Sequence, residues 1–438
     1  MGAGGRYLTA AKGDGRAVSG AASRDYPCRV PDLAQLISDR ATALEPELIE
    51  IRRDIHRNPE GARMEHRTTS LVSDRLRAAG LDPRPLDGTG LFCDVNPQRT
   101  DLTSARAMRR VVLRADLDAL PLTESTGLEF ASTNGWTHAC GHDVHTTTLL
   151  GTGLVLAQLA RDGLLDASVR LLFQPAEEVQ PGGASEVLAS GVLEGYDEVY
   201  ALHCDPKIDV GHIGSRIGPI TSASSNVSVT LTGPGGHSSR PHLTGDLVLA
   251  LGQVITQAPT VLGRRIDPRA GVNLTWGTVQ AGKAPNAIPS HGTASGTLRC
   301  LDERAWERAG DILAEAIRQI VAPYAVEVDV EIIRGVPPVV NDEPCVARLD
   351  ETTRRIIGPH AVVLTEQSLG GEDFGWYLLE RDGAMVRLGT RTPGGRTYDL
   401  HQADLVVDER AIGIGVRVLA GVTALPDLAS ALPGPVPS

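Results

Sequence analysis

The chain has 438 residues, a formal net charge of −12, and 41% apolar and 22% charged residues. That length predicts more than one domain, and the composition is typical of a soluble globular protein. The acidic balance argues against nucleic acid and anionic membranes as partners, because both attract basic surfaces. No apolar run approaches the ~20 residues that a membrane-spanning helix needs.

The N-terminal stretch is rich in Gly, Ala and Arg and lacks the apolar core of about 7–15 residues that a secretory signal carries. We therefore predict a disordered tail over residues 1–29. The six cysteines show no framework spacing, which in a long chain without a signal favours free thiols in a reducing compartment. Together these features predict a cytoplasmic protein.

Hydrophobic periodicity predicts helices at 43–57 and 68–79, followed by strands that alternate with helices. The strands are predicted at 111–113, 169–173 and 199–202, and the helices at 146–159 and 184–190. Such alternation implies right-handed crossovers and a mostly parallel sheet covered by helices on both faces. We assign this α/β catalytic domain to residues 30–224 and 335–438.

The pattern changes near Ser225. A βαββαβ order follows, with strands predicted at 227–231, 271–279, 291–299 and 326–333 and helices at 246–257 and 303–322. That order predicts a four-stranded antiparallel sheet with two helices on one face. We place this α+β domain, inserted into the catalytic domain, at residues 225–334.

The densest chemical segment is residues 138–145, just ahead of the predicted helix at 146. It contains Cys140, His142 and two further histidines. A thiolate and neutral imidazoles are ligands for zinc and neighbouring transition metals. The alternative is a core cysteine among surface or hydrogen-bonded histidines. Because four potential ligands occur within eight residues, a metal site is favoured over this alternative.

Two adjacent acids, Glu177 and Glu178, follow the strand at 169–173, at the carboxyl end where open α/β sheets build their sites. One carboxylate can face a metal while the other faces a water, although adjacent acids are also common on surfaces. His203 ends the next predicted strand, and His401 lies far along the chain.

Other polar residues allow more than one interpretation. Asp116 and Asp118 follow the strand at 111, where a carboxylate either orients a ligand imidazole or is a solvated strand end. In the inserted domain, His237 lies on a glycine-rich loop that suits a donor closing over a substrate. Asn286 lies in a turn, and Arg299 at a strand end could bind a substrate carboxylate. Turn chemistry and surface charge are the alternatives for these three.

These segments resemble the zinc aminoacylase and carboxypeptidase family, in particular its hippurate hydrolase and auxin-conjugate amidohydrolase branch. The matching stretches follow the order that the branch shows, at residues 52–60, 114–120, 138–145, 174–178, 235–242, 370–374 and 400–401. They cover nearly the whole chain except the tail. One departure is Asn58, where the branch usually has a second histidine, at a position that is not a ligand.

The resemblance implies that the inserted domain is a lid and a dimerisation domain. It implies two divalent metal ions per subunit, with zinc foremost and manganese, cobalt or nickel as alternatives. The implied ligands, with the thiolate bridging, are Cys140, His142, Glu178, His203 and His401. Asp116 stands where sister branches carry a metal-binding histidine, a change that the different ligand set offsets.

The resemblance also implies roles for the remaining residues. Glu177 matches the general base and Asp118 the aspartate behind a ligand. His237, Asn286 and Arg299 match lid residues that contact the substrate, and in several members the lid histidine reaches the partner subunit's active site. The implied activity is hydrolysis of small N-acyl-L-amino acids by a homodimer. A dipeptidase or N-carbamoyl-amino-acid hydrolase is the alternative, and a non-catalytic metal-binding protein is a remote one.

Overall fold

The computed structural model describes residues 32–96, 108–180 and 182–426, so the predicted tail at 1–29 lies outside the described residues. None of the described helices is long and apolar enough to cross a membrane. The α-helices of the described residues are α1 (Leu33–Arg57), α2 (His66–Ala78), α3 (His142–Arg161), α4 (Ala184–Ala189), α5 (Leu247–Arg265), α6 (Glu303–Val321), α7 (Glu343–Ile356), α8 (Gly375–Leu378) and α9 (Arg410–Ala424).

The strands of the described residues form one large sheet, one smaller sheet and two short pairs. They are β1 (Pro83–Pro85), β2 (Leu91–Val95), β3 (Arg109–Asp116), β4 (Ala167–Gln174), β5 (Glu198–Asp209), β6 (Ile213–Ser215), β7 (Gly218–Pro219), β8 (Ala223–Thr232), β9 (Gly236–His237), β10 (Asn273–Ala281), β11 (Ala287–Ile288), β12 (His291–Cys300), β13 (Glu327–Val336), β14 (Val340–Asn341), β15 (Val362–Leu364) and β16 (Asp382–Arg391).

Eight strands form the large sheet, in the order β1-β2-β4-β3-β5-β16-β6-β15. Its central strands β4, β3, β5 and β16 are parallel, whereas β1–β2, β2–β4 and β16–β6 pair antiparallel. The crossover helices that join parallel strands must cover the faces of such a sheet. This arrangement confirms the mixed α/β fold with a large, mostly parallel sheet that the alternation predicted.

Alternate side chains of the central strands pack against helices on opposite faces. Leu113 and Phe173 belong to a core shared with α1, α2, α3, α7 and α9. Val112 and Leu172, one residue away on the same strands, pack instead with α4 and α8. Because successive strand residues point to opposite faces, burial on both sides produces the continuous apolar runs that identified these strands.

The smaller sheet has the order β10-β12-β8-β13, and each neighbouring pair is antiparallel. Its inward residues Val227, Val229 and Leu231 pack with α5 and α6. The side chains of Asp246 and Asp302 cap these helices by accepting hydrogen bonds from backbone N–H groups of the first turn. In chain order the elements are β8, α5, β10, β12, α6 and β13.

Most elements differ from their predicted bounds at one or both ends, three of them as follows. Helix α1 begins at Leu33 rather than at residue 43 and contains Pro46; the burial of Ile37 against the core offsets the cost of a proline inside a helix. Helix α3 begins at His142, so this histidine opens the helix instead of preceding it. Strand β5 continues to Asp209 because β16 pairs with it along its length, which puts His203 inside the strand.

Candidate metal centre and active site

The loop before α3 brings Cys140 against β5. Gly141 has a φ of 87°, a conformation that favours glycine, and a Cβ built there would lie 2.8 Å from the Sγ of Cys204. This close approach places the Sγ of Cys140 3.5 Å from the Nε2 of His203. His203 Nδ1 donates to the backbone oxygen of Cys204 at 2.8 Å. The Nε2 lone pair of His203 is therefore available on the side that faces Cys140.

A turn after β4 directs the two adjacent carboxylates. Ala176 has a φ of 59°, and its N–H donates to the Glu65 carboxylate at 2.8 Å. The Asp118 carboxylate accepts from the N–H of Glu177 at 3.0 Å and from that of Glu178 at 2.9 Å. Positive φ is costly for a residue with a Cβ, and these buried carboxylates stabilise the turn that carries both acids.

His401 joins the site from the far end of the chain. It also has a positive φ, 61°, and its N–H donates to the backbone oxygen of Ala139 at 2.8 Å. Its Nε2 lies 3.5 Å from Oε1 of Glu178. A single backbone hydrogen bond thus connects the loop that carries His401 to the loop that carries Cys140.

The predicted ligands form two groups of three whose donor atoms lie within 4.8 Å of one another. One group is Cys140, His142 and His203, and the other is Cys140, Glu178 and His401. The Cys140 sulfur belongs to both groups, which is the arrangement that a thiolate bridge between two metal ions requires. Acidic residues near His142 form further groups with it.

Unpartnered buried atoms test whether a metal fits here. Among the described residues, neither ring nitrogen of His142 nor Oε1 of Glu178 has a hydrogen-bond partner, although all three atoms are buried. Leaving such an atom unsatisfied costs about 1–3 kcal/mol each. Sulfur, nitrogen and carboxylate donors together suit zinc and related divalent ions. The residues present therefore fit a metal centre.

Charges within the centre shift several pKa values. Burial lowers the pKa of His142, but Asp116, Asp118 and Glu178 outweigh it and raise that pKa to about 10. Burial, with Glu178 and Glu177 adding to it, raises the pKa of the Cys140 thiol well above its usual range. Both pKa values are raised because many acidic groups lie in a small buried volume. Divalent cations at the same place would reverse the effect and favour the thiolate.

The other two histidines of the segment, His145 and His138, are outside the predicted ligand set, although His145 forms a further group of potential donors with Asp116 and His142. His145 Nε2 accepts from the N–H of Cys204 at 2.8 Å, so its Nδ1–H donates to Asp116 at 2.6 Å and both nitrogens are used. His138 is buried, and burial lowers its pKa to about 4. His138 is therefore neutral near pH 7.

A cavity of about 450 Å³ opens beside these groups. Its lining includes Glu177 and Arg299 as well as four of the five predicted ligands, Cys140, Glu178, His203 and His401. His142 and Asp118 lie buried behind it. Arg299 also donates to the backbone oxygen of Leu369.

Two predicted substrate residues lie elsewhere. His237, in β9, pairs with Ala287 in β11. Both His237 and Asn286 are exposed, and neither is among the described residues that line the cavity. The backbone oxygen of Asn286 accepts from the N–H of Ser238 at 3.1 Å. Within one chain the structure therefore brings Arg299 to the cavity but not His237 or Asn286.

Sequence reasoning missed a buried charge network around Arg114. Its guanidinium contacts Asp116 at 2.7 Å, Asp373 at 2.7 Å and Glu372 at 3.1 Å, and all four side chains are buried. Glu372 lines the cavity near Glu177. Both Arg114 and Glu372 lie in stretches that carry the family resemblance. The sequence therefore marked these residues but did not indicate that they form an ion pair.

Residues 112–424 match the sequence model of peptidase family M20/M25/M40. The match covers more than half of the chain. The chain belongs to this family. Membership in M20/M25/M40 confirms the resemblance to the aminoacylase and carboxypeptidase family that the motifs indicated, while the individual residue roles stay predictions.

Three relatives illustrate the range of the family. A protein of Rhodococcus jostii (strain RHA1), named as a candidate glutamate–cysteine ligase 2-3, is 45% identical over 399 residues, which are 90% of this chain but 49% of that protein. The chain thus spans about half the length of that relative. The N-acetyl-L-cysteine deacetylase of Bacillus subtilis (strain 168) is 34% identical over 373 residues, 85% of this chain and 86% of that enzyme.

The third relative is a solved structure, a dinuclear metal-binding M20 peptidase of Bacillus subtilis. It superposes with a TM-score of 0.74 at 29% sequence identity and covers 88% of this chain and 98% of its own. Dinuclear metal binding is therefore a property of a similar M20 structure.

Proposed function

We propose that this protein is a metal-dependent amidohydrolase that hydrolyses the amide bond of N-acyl-L-amino acids to a carboxylic acid and a free amino acid. The observation that carries the proposal is the Cys140 sulfur, shared by two groups of potential ligands beside Glu177. The deacetylase relative supports the substrate class. The dinuclear peptidase supports two metal ions per subunit.

The proposed ligands of the two ions are Cys140, His142, Glu178, His203 and His401. Bound divalent cations, zinc foremost with manganese, cobalt and nickel as alternatives, would supply the Lewis acidity that activates water and polarises an amide carbonyl. Asp118 would hold the His142 ring, since its Oδ1 lies 3.4 Å from His142 Nδ1. Such carboxylate support fixes the orientation of a ligand imidazole.

Glu177 would act as the general base. Its carboxylate lines the cavity, and its backbone N–H is held by Asp118. It would take a proton from the attacking water and deliver it to the leaving amine nitrogen. Both acids lie within 4 Å of His142. Only Glu178 also lies near His401, at 3.5 Å, whereas Glu177 forms a group with Glu372 and Asp373, so the two adjacent acids can take different roles.

Arg299 would bind the α-carboxylate of the amino-acid half, since it lines the same cavity. His237 and Asn286 would join it through a second subunit or through closure of the smaller sheet's domain, residues 225–334. We favour a homodimer. Strand β10 is an edge of the smaller sheet, its Val279 is exposed, and so are Val248 and Leu249 at the start of α5. An exposed strand edge beside apolar side chains is a surface that another copy can cover.

A reducing, cytoplasmic location also belongs to the proposal. The five cysteines of the described residues are free and buried. Cys140 can act as a metal ligand only as a thiolate, and oxidation of its sulfur would remove that donor.

Restoring metal to metal-free protein tests the function. Protein stripped by a chelator would be reloaded with zinc, manganese, cobalt or nickel and assayed with N-acetyl amino acids, free dipeptides and N-carbamoyl amino acids. We expect N-acetyl amino acids to be hydrolysed only by reloaded protein. Preference for dipeptides or carbamoyl compounds would instead support those alternatives, and inactivity with every metal and substrate would contradict an amidohydrolase.

A further inference from the structure

Arg387 is a buried cation in the middle of an apolar strand. It is 6% exposed, and its neighbours Met385, Val386 and Leu388 on β16 are all fully buried. It pairs in register with His203 on the parallel strand β5. Because in-register neighbours point to the same face of a sheet, the Arg387 side chain shares its face with a proposed metal ligand.

Among the described residues, no carboxylate lies within ion-pair distance of the Arg387 guanidinium. The acids that act on it most strongly through charge are Glu372 and Asp205, and both have other partners. Glu372 pairs with Arg114 at 3.1 Å, and Asp205 accepts from the backbone N–H of Lys207 at 2.8 Å. A buried charge without a partner is costly, so this position favours an anion supplied from outside the chain.

The Arg387 side chain lies where two chambers meet. The proposed catalytic cavity adjoins a second chamber of about 260 Å³. Both are lined by Ser368, Arg387, Asp399 and Leu400. Asp399 pairs with Lys207 at 3.6 Å, and the remaining acid of the second chamber, Glu366, is exposed to solvent.

We propose that Arg387 binds a second carboxylate of the substrate, so that preferred substrates are N-acyl amino acids with one carboxylate beyond the α-carboxylate. This inference rests on the proposed function, in which Arg299 binds the α-carboxylate. A guanidinium offers two parallel N–H donors that match a carboxylate. The extra carboxylate can end the acyl group or the amino-acid side chain, since the second chamber adjoins the proposed catalytic cavity.

Two pairs of matched substrates distinguish a second carboxylate on the acyl group from one on the amino-acid side chain. N-Succinyl-L-alanine would be compared with its neutral amide, N-succinamoyl-L-alanine, and N-acetyl-L-glutamate with N-acetyl-L-glutamine. In metal-loaded enzyme we expect kcat/KM to favour the charged member of at least one pair by about tenfold or more, as a charge-assisted hydrogen bond predicts. Arg387→Met should reduce that ratio to about one, and Arg387→Lys should retain part of it.

Arg391→Met is the matched control. Arg391 lies on the same strand, pairs with Asp209 at 2.6 Å and lines neither chamber, so its variant should keep the preference. Metal content and melting temperature verify that each variant folds.

A wild-type enzyme that hydrolyses both members of each pair equally well would overturn the inference, even if Arg387→Met fails to fold. It would not contradict the proposed amidohydrolase function. A preference that survives in folded Arg387→Met would also overturn it. Hydrolysis of no N-acyl amino acid by metal-loaded enzyme would instead refute the proposed function.

Discussion

The carboxylate of Asp118 accepts a hydrogen bond from the backbone N–H of Glu177 at 3.0 Å. The same side chain accepts from the N–H of Glu178 and lies 3.4 Å from the His142 ring. One buried carboxylate therefore fixes the turn that carries the proposed base and a proposed carboxylate ligand, and it lies beside a proposed imidazole ligand.

We expect Asp118→Asn to weaken metal binding by about 10–100-fold, the usual effect of losing a group that orients ligands. The amide keeps one acceptor but turns an NH₂ group towards a backbone donor or the imidazole. Competition with a chelator measures the affinity, and circular dichroism monitors the fold. Asp197→Asn, at an exposed pair with Arg110, is the control and should bind metal normally. Unchanged affinity in Asp118→Asn would contradict the orienting role.

Glu177→Gln should retain both metals and lose turnover by at least about 10²-fold, because only the group that moves the proton is removed. Metal analysis beside a kinetic assay distinguishes the possibilities. Retained activity would assign the base to another residue. Lost metal would mean that Glu177 is itself a ligand.

Cys140→Ser should reduce metal content more than it disturbs the fold, because a neutral hydroxyl is a far poorer ligand than a thiolate. Cys345→Ser, at a buried cysteine on α7 that belongs to neither ligand group, is the matched control. Two metals bound as tightly in Cys140→Ser as in the parent would show that the thiol does not bridge.

His237→Ala should lower kcat strongly at unchanged metal content, because a donor to the developing oxyanion acts mainly in the transition state. If this histidine serves the partner's site, hybrids of His237→Ala and Glu177→Gln subunits should recover part of the activity. Each such hybrid contains one site with both residues intact. No recovery in verified hybrids would refute action across the dimer and leave the hydrolase proposal unaffected.

The Asp94 carboxylate predicts a pH-dependent contribution to stability. Burial raises its pKa, but Arg170, at 2.6 Å and 2.9 Å, and Tyr196, at 3.0 Å, outweigh burial and lower the pKa below the usual 3.8. An acid whose pKa is lower in the folded than in the unfolded protein stabilises the folded protein at pH values above the unfolded-state pKa. This stabilisation is lost as the pH falls through the folded-state pKa.

Asp94→Asn should therefore lower the free energy of unfolding by roughly 1–2 kcal/mol at pH 7, and the deficit should shrink as the pH falls below 3.8. Melting curves of parent and variant across this range test the prediction. A deficit that stays constant with pH would mean that packing, not charge, makes the difference. Asp197→Asn, at an exposed ion pair, should show little deficit at any pH.

The amino-acid sequence by itself determined the α/β alternation, the family and the candidate ligands. Buried strands produce continuous apolar runs, and strand ends such as that before Glu177 show directly in the sequence. A short segment such as residues 138–145 identifies donor chemistry because local composition alone makes a metal site more favoured than a core cysteine. These signals are local, so a single sequence carries them.

Only the tertiary structure decided which residues meet and which charges remain without partners. His401 reaches Cys140 through a hydrogen bond to Ala139, and strand β5 extends past His203 because β16 pairs with it. Arg387 is a candidate for binding an anion only because the acids nearest to it are paired with other groups. The tertiary structure also shows that His237 lies outside the cavity of its own chain. Pairing, burial and the satisfaction of buried charges depend on groups far apart in the chain, which hydrophobic periodicity does not encode.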